Sequence, residues 1–154
     1  MGPEAPVLIS REMVLDQDIG LNATLFGGDM MARMDKVAGI TASLMSHNRR
    51  FVTLKVSELE FHSPVRAGDI IEFYADISRR GTTSLCIQLE VKVYAPVSNA
   101  RRDVTSGSFT MVAVDDNLRP EPILWKEDML KTLALEHEHR VATGASKPRK
   151  KKSE

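Results

Sequence analysis

Aromatic residues are scarce in this chain, 5% of 154 positions; cysteine occurs once, and neither charge sign dominates, since Lys+Arg and Asp+Glu both number 21. Balanced charge leaves no long-range field to steer the protein toward nucleic acid or an anionic membrane, so any anion site has to be local. A lone Cys86 cannot close an intramolecular disulfide. No apolar run approaches the roughly 18 to 20 residues that span a bilayer, because Arg33, Asp35 and Lys36 interrupt the most apolar stretch. The first residues, MGPEAPVLISRE, have neither the basic start nor the apolar core of a signal peptide. These absences leave the expectation of a soluble, cytoplasmic protein with no nucleic-acid or membrane partner. What is present, 42% apolar and 27% charged residues, is ordinary composition for one globular domain.

Periodicity divides the chain. Residues 7–15 (VLISREMVL) have strand character, and DQDIGLNATLFGGD, rich in Asp, Asn and Gly, reads as a loop ending at the mouth of a helix. From Asp29 to His47 apolar residues recur at Met30, Met34, Val37, Ala38, Ala42 and Met45, a helical stripe that Met31, Ile40 and Leu44 widen, which predicts a mostly buried helix. Alternation then replaces it. Val52, Leu54 and Val56 form one strand face; Ile71, Phe73, Ala75 and Ile77 the next; Leu85, Ile87, Leu89, Val91 and Val93 a third; and Arg102 to Val114 a fourth strand with Phe109, Met111 and Ala113 on its apolar side. Pro64 with Gly68-Asp69, Gly81, and Pro96 with Ser98-Asn99 supply the turns. A second helix is expected over residues 127–140, packing outside through Met129, Leu130, Leu133 and Ala134. One buried helix against long alternating strands is an α+β pattern, an antiparallel sheet wrapped on a central helix, the hotdog architecture. Residues 1–141 are expected to form that single domain, and the basic segment 142–154 a disordered tail. An uncovered edge strand in such a sheet invites pairing with a second copy, so at least a dimer is expected.

The segment NATLFGGDMMARMDKVAG (Asn22 to Gly39), with FHSPVRAGD at Phe61 to Asp69, RRGTTS at Arg79 to Ser84 and TMVAVDDNLRP at Thr110 to Pro120, resembles the acyl-CoA thioesterases of the hotdog superfamily. The resemblance covers roughly residues 8 to 136, in order. It implies hydrolysis of acyl-CoA to free acid and CoA, with no metal or redox cofactor, and a homo-oligomer built as a trimer of dimers. It also implies a catalytic role for Asp35, as general base or as nucleophile. Coenzyme A is expected against the loop of Arg79, Arg80, Gly81, Thr82, Thr83 and Ser84, whose charge and hydroxyls suit phosphate and pantetheine. Sites in this family lie between subunits, a helix amino end from one copy facing the acid of another.

The residues carry their own argument. Gly27-Gly28 at a helix start leave unsatisfied N–H groups that can hold a developing oxyanion; the plainer alternative is a turn into the helix. Asp35 within an apolar stripe is either functional or paired with Arg33 or Lys36, or sits on the helix rim. RRGTTS is equally a solvated hairpin turn. Gly27 and Asp35, eight residues apart, are separated by about 12 Å of helix, too far to serve one carbonyl. Family members often have Asn or Gln fifteen residues before the acid, where this chain has Gly20; Asn22 or Gln17 is the candidate substitute. That departure motivates a second reading, an acyl-CoA-binding or regulatory hotdog without efficient chemistry. A hydratase is disfavoured because no His lies on the central helix before His47. His137 and His139 do not share a helix face, and His47 and His62 lack companions, so no metal site is expected. Arg49-Arg50 and Arg101-Arg102 remain unassigned, and Cys86 is expected as a small strand residue rather than a nucleophile.

Overall fold

The computed structural model describes residues 6–126 and 129–143. Its elements are β1 (Val7–Met13), a 3-10 turn at Asp16–Asp18, α1 (Gly27–Met45), β2 (Phe51–Phe61), β3 (Ile70–Arg80), β4 (Ser84–Ala95), β5 (Ala100–Ala113) and α2 (Met129–Thr143). The strands form one antiparallel sheet in the order β1-β3-β4-β5-β2. This is the hotdog arrangement that the alternation pattern anticipates. On β4 the period-2 pattern holds along the whole strand: Leu85, Ile87, Leu89, Val91 and Val93 are buried, whereas Cys86, Gln88, Glu90 and Lys92 are half-buried on the other face. α1 lies across the apolar face and buries Met30, Met34, Val37, Ala38, Thr41, Ala42 and Met45 in a core shared with Phe73 and Phe109. Each large side chain removed from water there contributes about 1.5 to 3 kcal/mol.

The helix is not buried all round. Met31 and Ile40, expected to widen the stripe, are exposed, because a single sheet encloses only one side of a helix. The helix also begins two residues earlier than expected, so Gly27 and Gly28 form its first turn instead of preceding it.

β2 departs most from simple alternation. It is an edge strand with exposed Val52 and Leu54, two of the three residues expected on its core face; the third, Val56, does pack against the core. The register explains the reversal. Thr53 pairs with Met111 and Val56 with Phe109, both core-facing, and a bulge between Thr53 and Lys55 shifts the alternation by one residue. Phe51 and Thr53 therefore point toward the core side ahead of the bulge, and Val56 after it. A second irregularity between Ser57 and Glu60 includes Glu58 at φ 51.

α2 docks outside, as expected, with Leu130 buried against Val7 and Met45. It runs to Thr143, past the expected end at 140, so residues 142 and 143 are helical; residues 144–154 of the expected tail lie outside the described residues. On the outer face of the sheet Glu72 is fully buried, and its carboxylate accepts hydrogen bonds from Arg11 Nε at 3.0 Å, Arg101 Nε at 2.6 Å and Tyr74 Oη at 2.8 Å. Tyr94 lies beneath both guanidinium groups, 5.0 Å from Arg11 and 4.5 Å from Arg101. This cluster ties β1, β3, β4 and β5 together.

Candidate active site

The chain approaches α1 through a tight reversal. Gly20 N–H donates to Thr24 O at 3.0 Å, Ala23 N–H donates to Gly20 O at 3.1 Å, and Ala23 adopts a left-handed φ of 56. Leu25 N–H then donates to Val65 O at 2.8 Å, joining the reversal to the loop after β2. Arg102 holds that loop: its guanidinium donates to Ser63 Oγ at 2.7 Å, Pro64 O at 2.8 Å and Asp69 Oδ2 at 3.2 Å.

Phe26 is the residue before the first turn of α1, and no side chain caps the helix there. The leading amides are therefore available to something outside the chain, with the positive end of the helix dipole behind them. Gly28 has open space in front of it, with nothing within 4 Å of a Cβ built there. Gly27 is covered more closely, since its Cβ would lie 3.1 Å from the Phe61 ring. A cavity of about 390 Å³ opens beside Gly27, lined also by Met30, Phe61, His62 and Thr105.

Gly20 has a local explanation. A Cβ there would lie 2.3 Å from the ring of Phe26, so the ring occupies the space that a side chain at this position would need. Asn22, the candidate substitute, sits exposed in the reversal.

Asp35 is half-buried two turns along the helix. Arg33, one of its suggested partners, is committed elsewhere: it contacts Glu12 at 2.6 Å, Asp29 at 3.1 Å and Asp18 at 3.2 Å. Glu12, through its hydrogen bond above all, and Asp29 push its pKa above the usual guanidinium value against the opposing effect of burial. No Lys or Arg pairs with Asp35 among the described residues. Its contact is Thr53, whose hydroxyl donates to Oδ1 at 2.5 Å and lies 3.5 Å from Met111 Sδ. Sequence reasoning missed Thr53. Only the bulge in β2 turns it toward α1, and a bulge leaves no periodic signature.

The RRGTTS segment is divided between strand and turn. Arg79 and Arg80 end β3, and Gly81 N–H donates to Ser84 O at 2.8 Å across the turn. Arg79 donates to Ser84 Oγ at 3.1 Å, while Arg80 lies 4.8 Å over the Trp125 ring. Thr82 O accepts from Ile123 N–H and Thr83 O from Ala113 N–H. Trp125 in turn bridges Ser46, the residue immediately after α1. The structure thus places Arg79 to Ser84 near the carboxyl end of α1, away from Gly27 and Gly28, with Asp35 between the two ends. Cys86 lies half-buried on β4, 3.0 Å from Ser108 Oγ.

Residues 22–96 match the sequence profile of the thioesterase superfamily. The chain is 36% identical to the acyl-CoA thioester hydrolase YciA of Salmonella typhimurium over 119 residues, covering 75% of this chain and 89% of that relative. The chain belongs to the acyl-CoA thioester hydrolases. Solved structures agree with this membership. The chain is similar to a hexameric thioesterase from Yersinia pestis, with TM-score 0.72, 35% identity and coverage of 79% of this chain and 97% of that one. It is also similar to an acyl-CoA hydrolase from Staphylococcus aureus solved with butyryl coenzyme A and coenzyme A, with TM-score 0.70, 27% identity and coverage of 88% and 84%. In this hydrolase no described helix is long and apolar enough to cross a membrane.

Proposed function

We propose that this hydrolase cleaves acyl-CoA to free acid and CoA at a site shared between two copies of the chain, with Asp35 as its acid-base or nucleophilic group. The observation that carries the proposal is Asp35 itself: a half-buried carboxylate without a cationic partner among the described residues, held by the Thr53 hydroxyl. A carboxylate oriented by one hydrogen bond through Oδ1 keeps Oδ2 for water or for the carbonyl carbon. The uncapped amides at Gly27 and Gly28 are suited to the oxyanion that forms as the carbonyl is attacked.

About 12 Å of helix separates those amides from Asp35, so the amides serving one acid come from a second copy. Exposed Leu54 on the unpaired edge of β2, with Met31 on the uncovered side of α1, offers apolar surface for that copy. Relatives described as hexameric support a homo-oligomer, and a trimer of dimers is the proposed form. The Staphylococcus aureus hydrolase has also been solved with an asparagine, an aspartate or a threonine replaced by alanine, a trio of residue types that draws attention to Asp35 and Thr53 here. Asn22 is the available amide on this chain, and Arg79 to Ser84 are the proposed contacts for CoA. The reaction as proposed uses no metal or redox cofactor, and its setting is the cytoplasm, consistent with a single free thiol at Cys86.

The test is release of free thiol from a panel of acyl-CoA esters by wild type and by Asp35→Asn. Turnover that collapses in the variant supports the proposal. Equal turnover removes Asp35 from the mechanism, and saturable binding without thiol release by wild type favours a binding protein.

A further inference from the structure

A second cavity, of about 610 Å³, begins one helical turn beyond Asp35. Gly39 and Ile40 of α1 form one wall, Phe51 and Val52 of β2 another, and Arg49 and Arg50 stand at its rim. Position 39 follows Asp35 by four residues and so shares its helix face. Val52 adjoins Thr53, the hydroxyl on Asp35. Asp35 and Thr53 do not line the cavity themselves, but Gly39 and Val52, one helical turn and one residue away from them, do, and two exposed guanidinium groups stand at its other side.

Those cations are little used within the chain. Among the described residues Arg50 reaches only exposed Asp116, at 3.5 Å, and Arg49 has no ion pair. The expected phosphate contacts at the β3–β4 turn differ in this respect, because Arg79 is bonded to Ser84 and Arg80 is stacked on Trp125. The two groups are neighbours. Val114 N–H donates to Arg50 O at 3.1 Å and Ala113 N–H to Thr83 O at 2.9 Å, so Arg50 and Thr83 flank the end of β5 on opposite sides. Two strand spacings separate them, roughly 10 Å.

We propose that Arg49 and Arg50 bind phosphate groups of the CoA half of the substrate, with the pantetheine arm running along the cavity from Asp35 to this rim. The assignment rests on the thioesterase reading above and adds a cationic subsite in the segment between α1 and β2 to the contacts expected at Thr82 to Ser84. Paired guanidinium groups suit a polyphosphate, since each can donate two hydrogen bonds to phosphate oxygens. Apolar walls suit an arm that carries no charge of its own.

The experiment compares one acyl group on two thiols, coenzyme A and N-acetylcysteamine, the second of which lacks every phosphate. Wild type and the double variant Arg49→Gln, Arg50→Gln are assayed on both, with the oligomeric state of each checked by light scattering. The preference for the CoA ester, as a ratio of kcat/KM values, should fall roughly 10- to 100-fold in the double variant, the scale of one or two lost charged hydrogen bonds. An unchanged ratio overturns the proposal, as does a parallel loss on both esters, which assigns the arginines to packing or assembly. A ratio that falls only for acyl groups ending in a carboxylate also overturns it, by placing the anion on the acyl side. Failure of wild type to hydrolyse either ester would instead bring down the thioesterase reading on which the assignment rests.

Discussion

The Thr53 hydroxyl donates to Oδ1 of Asp35 at 2.5 Å, joining an edge strand to the central helix at the one acid of α1 that Arg33 does not hold. Replacement of Asp35 by Asn keeps the shape and removes the base, so kcat should fall roughly 10²- to 10⁴-fold with an unchanged melting curve. Thr53→Val is nearly isosteric and removes only the hydroxyl. Its kcat should fall about tenfold, the worth of one hydrogen bond to a charged group, and Thr53→Ser should recover most of the loss. Steady-state kinetics on all three variants, with circular dichroism as the folding control, checks both statements.

The two glycines of the first turn are predicted to respond differently. A methyl group at Gly28 meets nothing within 4 Å, and Ala favours helix over Gly by about 1 kcal/mol at most, so Gly28→Ala should hold or raise the melting temperature. It also projects into the open space where the oxyanion is proposed to sit, so kcat should decline roughly tenfold, less than the 10²- to 10³-fold expected for a lost donor. Gly27→Ala has to displace the Phe61 ring, 3.1 Å away, and should lower the melting temperature. Thermal melts and kcat measured side by side separate the two positions.

Gly20 and Phe26 should be coupled. Gly20→Asn drives a side chain into the Phe26 ring, whose atoms lie 2.3 to 2.8 Å from the new Cβ, and should destabilise by about 1 to 3 kcal/mol. In a Phe26→Ala background the same substitution should cost much less, giving an interaction energy of about 1 kcal/mol in a double-mutant cycle of urea midpoints. Additive effects would mean that the ring can swing away freely.

Glu72 sets an acid limit on stability. Burial by itself raises the pKa of its carboxyl, but hydrogen bonds from Arg101, Arg11 and Tyr74 outweigh that and hold it below the ordinary value. Its stabilising contribution is complete above the unfolded value of about 4.3 and is lost as pH falls through the lower folded value. Glu72→Gln leaves two guanidinium groups facing a neutral amide and should cost about 3 to 5 kcal/mol at pH 7. Urea unfolding as a function of pH should show the two proteins converging in acid, and a constant gap would contradict this account.

The order and type of the elements were legible because they rest on local periodicity. The β4 alternation and the Met30–Met34–Val37 stripe each depend on a side chain's own face. The features that escaped depend on how elements meet. Thr53 was invisible because a bulge, not a residue pattern, turns it inward, and the same bulge reversed the expected faces of Val52 and Leu54. The width of the apolar stripe on α1 was legible, but not that Met31 and Ile40 would remain uncovered in one chain. Gly20 read as a missing amide, whereas the ring that fills its place comes from Phe26, six residues later, through a chain reversal.

One helix carries the proposed oxyanion amides at its start and the proposed acid two turns later, so each copy would lend half of its machinery to a neighbour. In an assembly of mixed subunits, a copy disabled at either end would silence one of two reaction centres and leave the other intact. Two individually dead proteins, one lacking the acid and one lacking the amide end, would therefore restore function by co-assembly, one working centre to each mixed pair.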